Sequence, residues 1–558
     1  MSGDPYSKKP WLGQYSTGLA GQISPKYETI LAAFLSAVKE KPSATAIHYY
    51  DGALTYLQLD DASDKLAKSL LNSGFGVGDR LGLCLQNNPA FVIGMLAAWK
   101  AGGAVVALSP MYKARELRHL LCDSGVRAIL CLDDIYNDVI KPVLENNDLD
   151  ISLVVIASAS DYKAVIDDRV EASAWQCSKT PKTETLQNIV SSEAEDAFLP
   201  LRAPSADDLA LLVYTSGATG KPKGAMLTHG NLRFAAQAYQ EWVGLTPDDL
   251  ILGIAPLFHV TGIVGHVALS LITACPLILM HRFTPEVVIE TIREKRPTFT
   301  IGAITAFMSL MQVRGANRSD FTSFRAVYTG GAPVSPATAQ SFEDFSGIYL
   351  YNAFGMTETC SPTHLVPLGS RAPVDEATGA ISIGVPIFNT CVRVIDDEGR
   401  VAKPGDLGEI VDCGPQVMKG YWQQPQATTE AVRDGWLCTG DVGFMDEQGW
   451  FYLLDRKKDM IVVSGYKVWP REVEDVLYSH PAVREAVVIG IADEYCGEVV
   501  KAVVSLQPGA NPSVEDLILF CKDNLAAYKY PRVLEVVHDL PKSASGKLLR
   551  SGVRNTEN

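Results

Sequence analysis

The sequence predicts an α/β protein. It reads as a large N-terminal domain of helix-covered, mainly parallel sheets with a β subdomain, followed by a small, mobile α+β C-terminal domain. Three observations predict this. Helical and strand-like patterns alternate through roughly the first 330 residues, as in a parallel sheet covered by helices. Near residue 380 the texture changes to short apolar strands between Gly- and Asp-rich turns. A dense charge cluster, Leu454-Asp-Arg-Lys-Lys-Asp459, then stands between two apolar strands, where a chain can hinge, and the alternation resumes behind it. At 558 residues the chain also exceeds one core, since cores beyond about 250–300 residues tend to split.

The elements follow in order. Residues 27–39 read as an amphipathic helix, 62–73 as another, 80–85 as a strand, 91–101 as a helix and 104–108 as a strand. The next unit repeats the style, with strands at 210–215, 299–302 and 326–329 and a helix at 231–242. Strands at 392–395, 409–413 and 450–454, separated by Asp-Asp-Glu-Gly, Lys-Pro-Gly-Asp and Asp-Glu-Gln-Gly turns, form an antiparallel β subdomain. Behind the cluster come a helix at 472–479, a strand at 486–490 and a helix at 514–524. The expected bounds are 1–455 for the large domain, 456–459 for the hinge and 460–558 for the C-terminal domain.

Residues 251–281 contain no Asp, Glu, Lys or Arg, long enough to raise a membrane span. Pro256, Gly262, Gly265 and Pro276 break the stretch, and His259 and His266 lie inside it, so a buried helix beside a ligand pocket is expected. With 47% hydrophobic and 20% charged residues the chain is globular. A net charge of −15 argues against a broad basic surface for nucleic acid or anionic lipid. Eleven scattered cysteines, without C-x-x-C spacing, indicate neither a zinc site nor a disulfide framework. With no signal core at the N-terminus and no peroxisomal address at the C-terminus, a cytoplasmic protein is expected, its oligomeric state open.

The chemistry-bearing stretch is Tyr214-Thr-Ser-Gly-Ala-Thr-Gly-Lys-Pro-Lys-Gly224, after an apolar strand. Glycines, hydroxyls and lysines this dense suit a loop that surrounds phosphates. It is not a P-loop: Gly217 and Gly220 are too close, and Pro222 stands where a metal-binding hydroxyl should follow the lysine.

With this loop the sequence resembles the adenylate-forming superfamily of acyl-CoA synthetases, adenylation domains and beetle-luciferase relatives. The resemblance spans nearly the whole chain as an ordered series: Leu54-Thr-Tyr-Leu-Gln-Leu59, Lys100-Ala-Gly-Gly103, the loop, Gly330-Gly-Ala-Pro333 and Tyr351-Asn-Ala-Phe-Gly-Met-Thr-Glu358. Gly420-Tyr-Trp422, Trp436-Leu-Cys-Thr-Gly-Asp441, Asp455-Arg456 and Ser545-Gly-Lys547 complete it.

A carboxylate is a poor electrophile, and transfer to AMP gives it a good leaving group. Charge gathers at the α-phosphate in that step, so cations, a metal and fixed donors are needed there. By the resemblance, Thr215, Ser216, Gly217, Thr219, Gly220 and Lys223 hold the β- and γ-phosphates of ATP; Ala218 departs from a commoner hydroxyl. Thr357 and Glu358 contact the α-phosphate and Mg²⁺, with Glu358 as metal ligand. Gly331, Ala332, Pro333, Asn352 and Phe354 resemble the adenine slot, Phe354 keeping a stacking face where tyrosine is frequent. Asp441 accepts the ribose hydroxyls and Arg456 supports the ribose. Lys547 bridges the substrate carboxylate and the α-phosphate; Lys458 matches the hinge position; Ser464, Gly465 and Tyr466 match the loop lining the tunnel for the thiol of CoA.

Amino-acid-adenylating relatives carry an aspartate for the substrate ammonium where this chain has His259, in Pro256-Leu-Phe-His-Val-Thr-Gly262. The motif resembles acyl-CoA and aryl-CoA ligases, with His259 as pocket wall and gate. Further pocket positions are Thr261, Val264, Gly302, Ala303, Ala306, Thr329, Gly330, Gly355, Met356 and His364. Several are small, which implies room for a bulky or elongated hydrophobic acid, whether fatty, aryl-propenoic or polycyclic. Lys9-Pro-Trp-Leu-Gly-Gln-Tyr15 is reminiscent of fatty acyl-CoA synthetases. The expected reaction is ATP-dependent activation of the acid as acyl-AMP and transfer to CoA, the alternative being transfer to an amine.

Overall fold

A computed structural model describes residues 4–145, 149–165, 167, 169, 182–192, 203–215, 222–332, 334–493, 495–543 and 547–554. Two parallel-rich sheets carry the N-terminal domain. In the first, the spatial order is Leu209–Thr215, Ala104–Ala107, Arg80–Cys84, Ala128–Leu132, Leu153–Ala157, Thr183–Thr185, all parallel. Two antiparallel strands, Lys223–Thr228 and Gly420–Tyr421, extend its edge. In the second, Thr45–Tyr49, Leu277–Leu279, Ile251–Gly253, Phe299–Gly302, Ala326–Gly330 and Leu350–Met356 run parallel, with antiparallel strands at both edges. Central strands are buried on both faces: Ala128–Leu132 is apolar and buried throughout, with no alternation.

The β subdomain is antiparallel as expected, built from Cys391–Ile395, Gly408–Cys413, Trp436–Met445, Val432–Arg433 and Phe451–Arg456. Cys391–Ile395 alternates between buried and half-buried positions, since only one face packs on the core. The C-terminal domain has its own core, including Ile461, Val468, Leu477, Val488, Val504 and Leu517. Helices Pro470–Tyr478 and Val514–Asn524 cover a sheet whose long strands are Val483–Asp493 and Gly497–Leu506.

Caps explain where helices begin elsewhere than expected. The helix expected at 62–73 runs Tyr56–Asn72, because Thr55 and Gln58 close a reciprocal box. The Gln58 amide donates to Thr55 Oγ1 at 3.2 Å, and the Thr55 amide to Gln58 Oε1 at 2.9 Å. The helix expected from residue 27 begins at Ile30, capped by Thr29.

The uncharged stretch at 251–281 is two short buried strands bracketing helical turns Val260–Gly262, Ile263–Ala268 and Leu269–Thr273, the middle one a π-turn. His266 Nε2 is satisfied inside it by the Ala255 amide at 3.0 Å. Among the described residues no helix is long and apolar enough to cross a membrane. Lys9–Tyr15 turns out to be an anchor for the N-terminus. Trp11 is buried edge-on against Phe451, and the Tyr15 hydroxyl donates to the Pro386 carbonyl at 2.6 Å.

Candidate active site

The phosphate loop joins two antiparallel strands, Leu209–Thr215 and Lys223–Thr228, with Thr215 opposite Lys223. A strand follows the loop, where a P-loop would place a helix N-terminus. Ser216, Gly217, Thr219 and Gly220 lie outside the described residues, as do Pro333, Ser545 and Gly546. The far strand is stitched to the Gly420-Tyr-Trp motif: Tyr421 stands opposite Ala225, and the Trp422 amide donates to the Gly224 carbonyl at 2.7 Å. The Trp422 indole N–H bonds to the Asp123 carbonyl and the Tyr214 hydroxyl to the Asp123 carboxylate, which ties the hairpin base to the helix Ala114–Ser124.

Tyr421 connects two expected site residues. Its hydroxyl donates to Glu358 Oε1 at 2.7 Å, and Lys223 Nζ lies 5.1 Å over its ring. Glu358 is buried in the short 3₁₀ turn Thr357–Thr359 that ends the strand Leu350–Met356, so strand and turn present Thr357 and Glu358 together. Burial and the Glu358 charge push the Tyr421 phenol well above its ordinary range, which keeps it a donor. One Glu358 oxygen remains for a hard cation. Among the described residues no cluster of three or more metal-binding side chains occurs. A single buried carboxylate with the Thr357 hydroxyl beside it is a donor set that fits Mg²⁺ arriving with phosphate oxygens.

The residues expected at the adenine fall on one pair of adjoining strands, and those expected at the ribose on another. Asn352 pairs in register with Thr329 and Ala353 with Gly330, which sets Gly331 and Ala332 beside the end of Leu350–Met356. Gly331 has φ +82°, a conformation that favours glycine. Buried Asn352 donates its amide to the Ser382 carbonyl at 2.9 Å, and Phe354 meets His364 edge-on at 5.5 Å. Asp441 and Arg456 are cross-strand partners, with Arg456 Nε 3.1 Å from Asp441 Oδ1. Burial raises the Asp441 pKa, and Arg456 and Lys547 pull against that rise.

Lys547 comes from the other domain into this cleft. It stays solvent-accessible, yet loss of surrounding water and the Arg456 charge bring its pKa down to about 8, while Asp441 opposes. Its charge also reaches His259, a half-buried ring whose pKa falls to about 4, mainly through burial. His259 Nδ1 caps the next turn, accepting from the Thr261 amide at 3.3 Å. The charges of Lys547, Asp441 and Arg456 thus act on one another, and that of Lys547 on His259.

A mostly buried ion cluster fixes that arrangement, and the sequence reading missed it. Arg550, three residues beyond Lys547, bonds Asp455 at 2.5 Å and Glu474 at 2.7 Å. Arg471 donates to the Leu453 and Val334 carbonyls at 2.8 and 3.1 Å. Between these contacts lies the exposed Lys458, in the turn Lys457–Asp459, its pKa lowered mainly by partial burial. Ser464, Gly465 and Tyr466 are exposed on the C-terminal domain. Tyr466 stacks on Tyr528 at 4.7 Å beside a cavity of 310 Å³ also lined by Cys496, Tyr530 and Arg532.

The expectation that small residues leave room for the acid needs correcting at three positions. A Cβ at Gly355 would stand 1.7 Å from the Ser361 carbonyl oxygen, one at Gly330 2.7 Å from that of Ala353, and one at Gly302 2.7 Å from Ile254 Cδ1. These glycines permit close packing of protein on protein. Gly262 is constrained likewise, 2.2 Å from the Pro256 carbonyl oxygen. Val264, Thr329 and His364, at 0%, 1% and 0% exposure, stand behind the wall, for a residue without accessible surface lines no open pocket. Thr261, Ala303, Ala306 and Met356 keep partial exposure.

Fold and site together are those of an adenylate-forming enzyme of two domains. A family model described as AMP-binding enzyme matches residues 34–422, and one described as AMP-binding enzyme C-terminal domain matches 472–547; the chain belongs to the AMP-binding enzyme family. It is 35% identical to a long-chain-fatty-acid–CoA ligase of Bacillus subtilis, over 98% of this chain and 97% of the relative. It is 36% identical to a feruloyl-CoA synthase of Amycolatopsis, over 92% and 96%. Among solved structures, ATP-bound MatB from Rhodopseudomonas palustris matches with TM-score 0.83 and 27% identity, over 94% of this chain and 98% of that one.

Proposed function

We propose that this chain is an AMP-forming acid–thiol ligase that converts a hydrophobic carboxylic acid to its CoA thioester at the expense of ATP. The two relatives described above carry CoA-ligase names and match across nearly their full length, which disfavours the amide-ligase alternative. The observation that carries the reading is Lys547, a lysine of lowered pKa beside Asp441, Arg456 and His259. A pocket that only held nucleotide would have no use for a cation supplied by a second domain.

In the first half-reaction a substrate carboxylate oxygen attacks the α-phosphorus, and the bond to the bridging oxygen breaks to release pyrophosphate. Lys547 in its ammonium form bridges carboxylate and α-phosphate, and Lys223 with the loop neutralises the departing pyrophosphate. Glu358 would hold Mg²⁺, which when bound would supply Lewis-acid charge neutralisation at the phosphates. Tyr421 fixes the Glu358 carboxylate, while Asp441 and Arg456 hold the ribose. In the second, the CoA sulfur attacks the acyl carbonyl, AMP departs with its oxygen, and the thiol proton is lost to solvent. Lys547 and the thiol need the same space, so the C-terminal domain, 460–558, turns about 456–459 between the steps and brings Ser464, Gly465 and Tyr466 inward.

The acid is of the fatty or aryl-propenoic kind. Both classes appear among the relatives' names, and the half-exposed wall at Thr261, Ala303, Ala306 and Met356 offers no charge to a polar substrate. The ten described cysteines are all free, which suits cytoplasmic work. Pyrophosphate release from ATP that depends on a fatty or aryl-propenoic acid tests the adenylation step; release indifferent to any acid contradicts it.

A further inference from the structure

Beneath the nucleotide slot lies a set of buried polar side chains that this chemistry leaves unused. Asp412, in the strand Gly408–Cys413, has no accessible surface, and neither carboxyl oxygen has a hydrogen-bond partner of full geometry among the described residues. Two groups bear on it: Asp441, from the adjoining strand Trp436–Met445, and the Thr363 hydroxyl. Thr363 has no accessible surface either, and its Oγ1 lies 2.8 Å from His364 Nδ1. His364 is equally buried, its ring edge-on to Phe354 on one side and to Phe451 at 4.8 Å on the other. Its Nε2 has no partner among the described residues.

Two carboxyl groups sealed from water on adjoining strands, one feeling the other's charge, resist ionising together. Asp441 has cations, Arg456 at 3.1 Å and Lys547 beyond it. Among the described residues no cation bears on Asp412; burial and the Asp441 charge push its pKa up to about 8, while burial holds His364 neutral, at about 3. The other titratable neighbours are thiols: Cys413 beside it, its pKa raised by burial, and Cys391 opposite Cys413. Arg393, which bears on Cys413, lies 4.4 Å over the Trp436 ring.

We infer that Asp412 is a positioning residue for the nucleotide. As the neutral acid it adds no further unpaired charge to Asp441 beneath the ribose, and with Thr363 and His364 it forms the polar bed behind Phe354. The inference rests on Asp441 and Phe354 being nucleotide residues. A neutral carboxyl has a proton to share with Thr363. Ionised, it sets a second buried negative charge against Asp441, under a ligand that is itself an anion. Asp412 keeps its proton below about pH 8 and loses it above, so nucleotide binding is tight at neutral pH and weakens as pH rises. Folding follows the same linkage. The folded protein holds a proton that the unfolded chain releases near pH 4, so stability is progressively lost from there to about pH 8.

The test is AMP affinity by calorimetry from pH 6.5 to 9.5 on the full-length enzyme, Asp412→Asn and Asp412→Val, with thermal melting alongside. Wild-type Kd should rise about tenfold more than that of Asp412→Asn across this range, which a tenfold tighter hold on the proton in the complex requires. Lys547 titrates in the same range in both proteins, so the difference between the curves belongs to Asp412. Asp412→Val, lacking the polar contact, should bind more weakly at every pH without the extra alkaline loss. The melting advantage of Asp412→Asn should widen from pH 5 to pH 8. AMP bound with parallel wild-type and Asn curves overturns the inference alone. Failure of wild type to bind AMP at any pH overturns the nucleotide reading beneath it, and the inference with it.

Discussion

Lys547 sits where its charge is costly to keep, which is why its pKa falls to about 8. Adenylation uses the ammonium form, present below that value and lost above it. Acid-dependent pyrophosphate exchange should therefore decline as pH rises through about 8; a flat profile to pH 10 would remove the assigned role. Lys547→Ala should lose adenylate formation by at least about 100-fold, as when a transition-state donor is removed, while still making thioester from synthetic acyl-adenylate. Equal loss of both half-reactions would contradict it. Tyr421→Phe leaves Glu358 buried without its 2.7 Å donor, so an apparent Mg²⁺ affinity weaker by about 5- to 10-fold is expected in a metal titration of exchange activity. Lys547, Glu358 and Asp441 can be proposed from the sequence because the reaction needs their chemistry and the motifs that carry them are local. Tyr421 and Asp412 cannot, because register between distant strands gives them their partners. Gly302, Gly330 and Gly355 misled because a missing side chain reads the same whether ligand or protein fills the space.

Element boundaries depend on caps and contacts that apolar periodicity does not report. The helix Tyr56–Asn72 starts six residues before its periodic part, at a Thr-x-x-Gln box that Leu54-Thr-Tyr-Leu-Gln-Leu59 spells out; as a family motif it had drawn attention away from its capping chemistry. The proposed rotation between half-reactions requires the backbone angles of the turn Lys457–Asp459 to change, so this element has most to lose from rigidity. Lys458→Pro fixes φ there, so adenylation should persist while overall acyl-CoA turnover falls; unimpaired turnover would refute the hinge. Arg550 pulls the other way, clamping Asp455 and Glu474 across that turn with a side chain only 19% exposed. Breaking a largely buried pair costs about 3–5 kcal/mol, so Arg550→Gln should depress pyrophosphate exchange more than thioester formation from synthetic adenylate. The reverse ordering would show that the clamp does not hold the adenylating arrangement.

At the scale of the molecule, two parallel-rich sheets and an antiparallel subdomain bring residues as distant as Thr215, Glu358 and Asp441 to one cleft, and a separately cored domain adds Lys547. The sheets were legible because parallel strands buried on both faces leave continuous apolar runs between helices. How they assemble was not, since the order of strands across a sheet leaves no periodic trace. The net charge of −15 makes the local cations at Lys223, Arg456 and Lys547 the attraction available to an anionic nucleotide in this cleft. The central claim is that the chain joins a hydrophobic acid to CoA through an adenylate. Mass spectrometry of products from ATP, Mg²⁺ and a panel of fatty, aryl-propenoic and polycyclic acids, with CoA, with an amino-acid mixture, or with neither, tests it most directly. The account predicts acyl-CoA with AMP and pyrophosphate only where CoA is present, from acids of the fatty or aryl-propenoic kind. Amide formed from the amino-acid mixture, with no acyl-CoA from any acid, would contradict it.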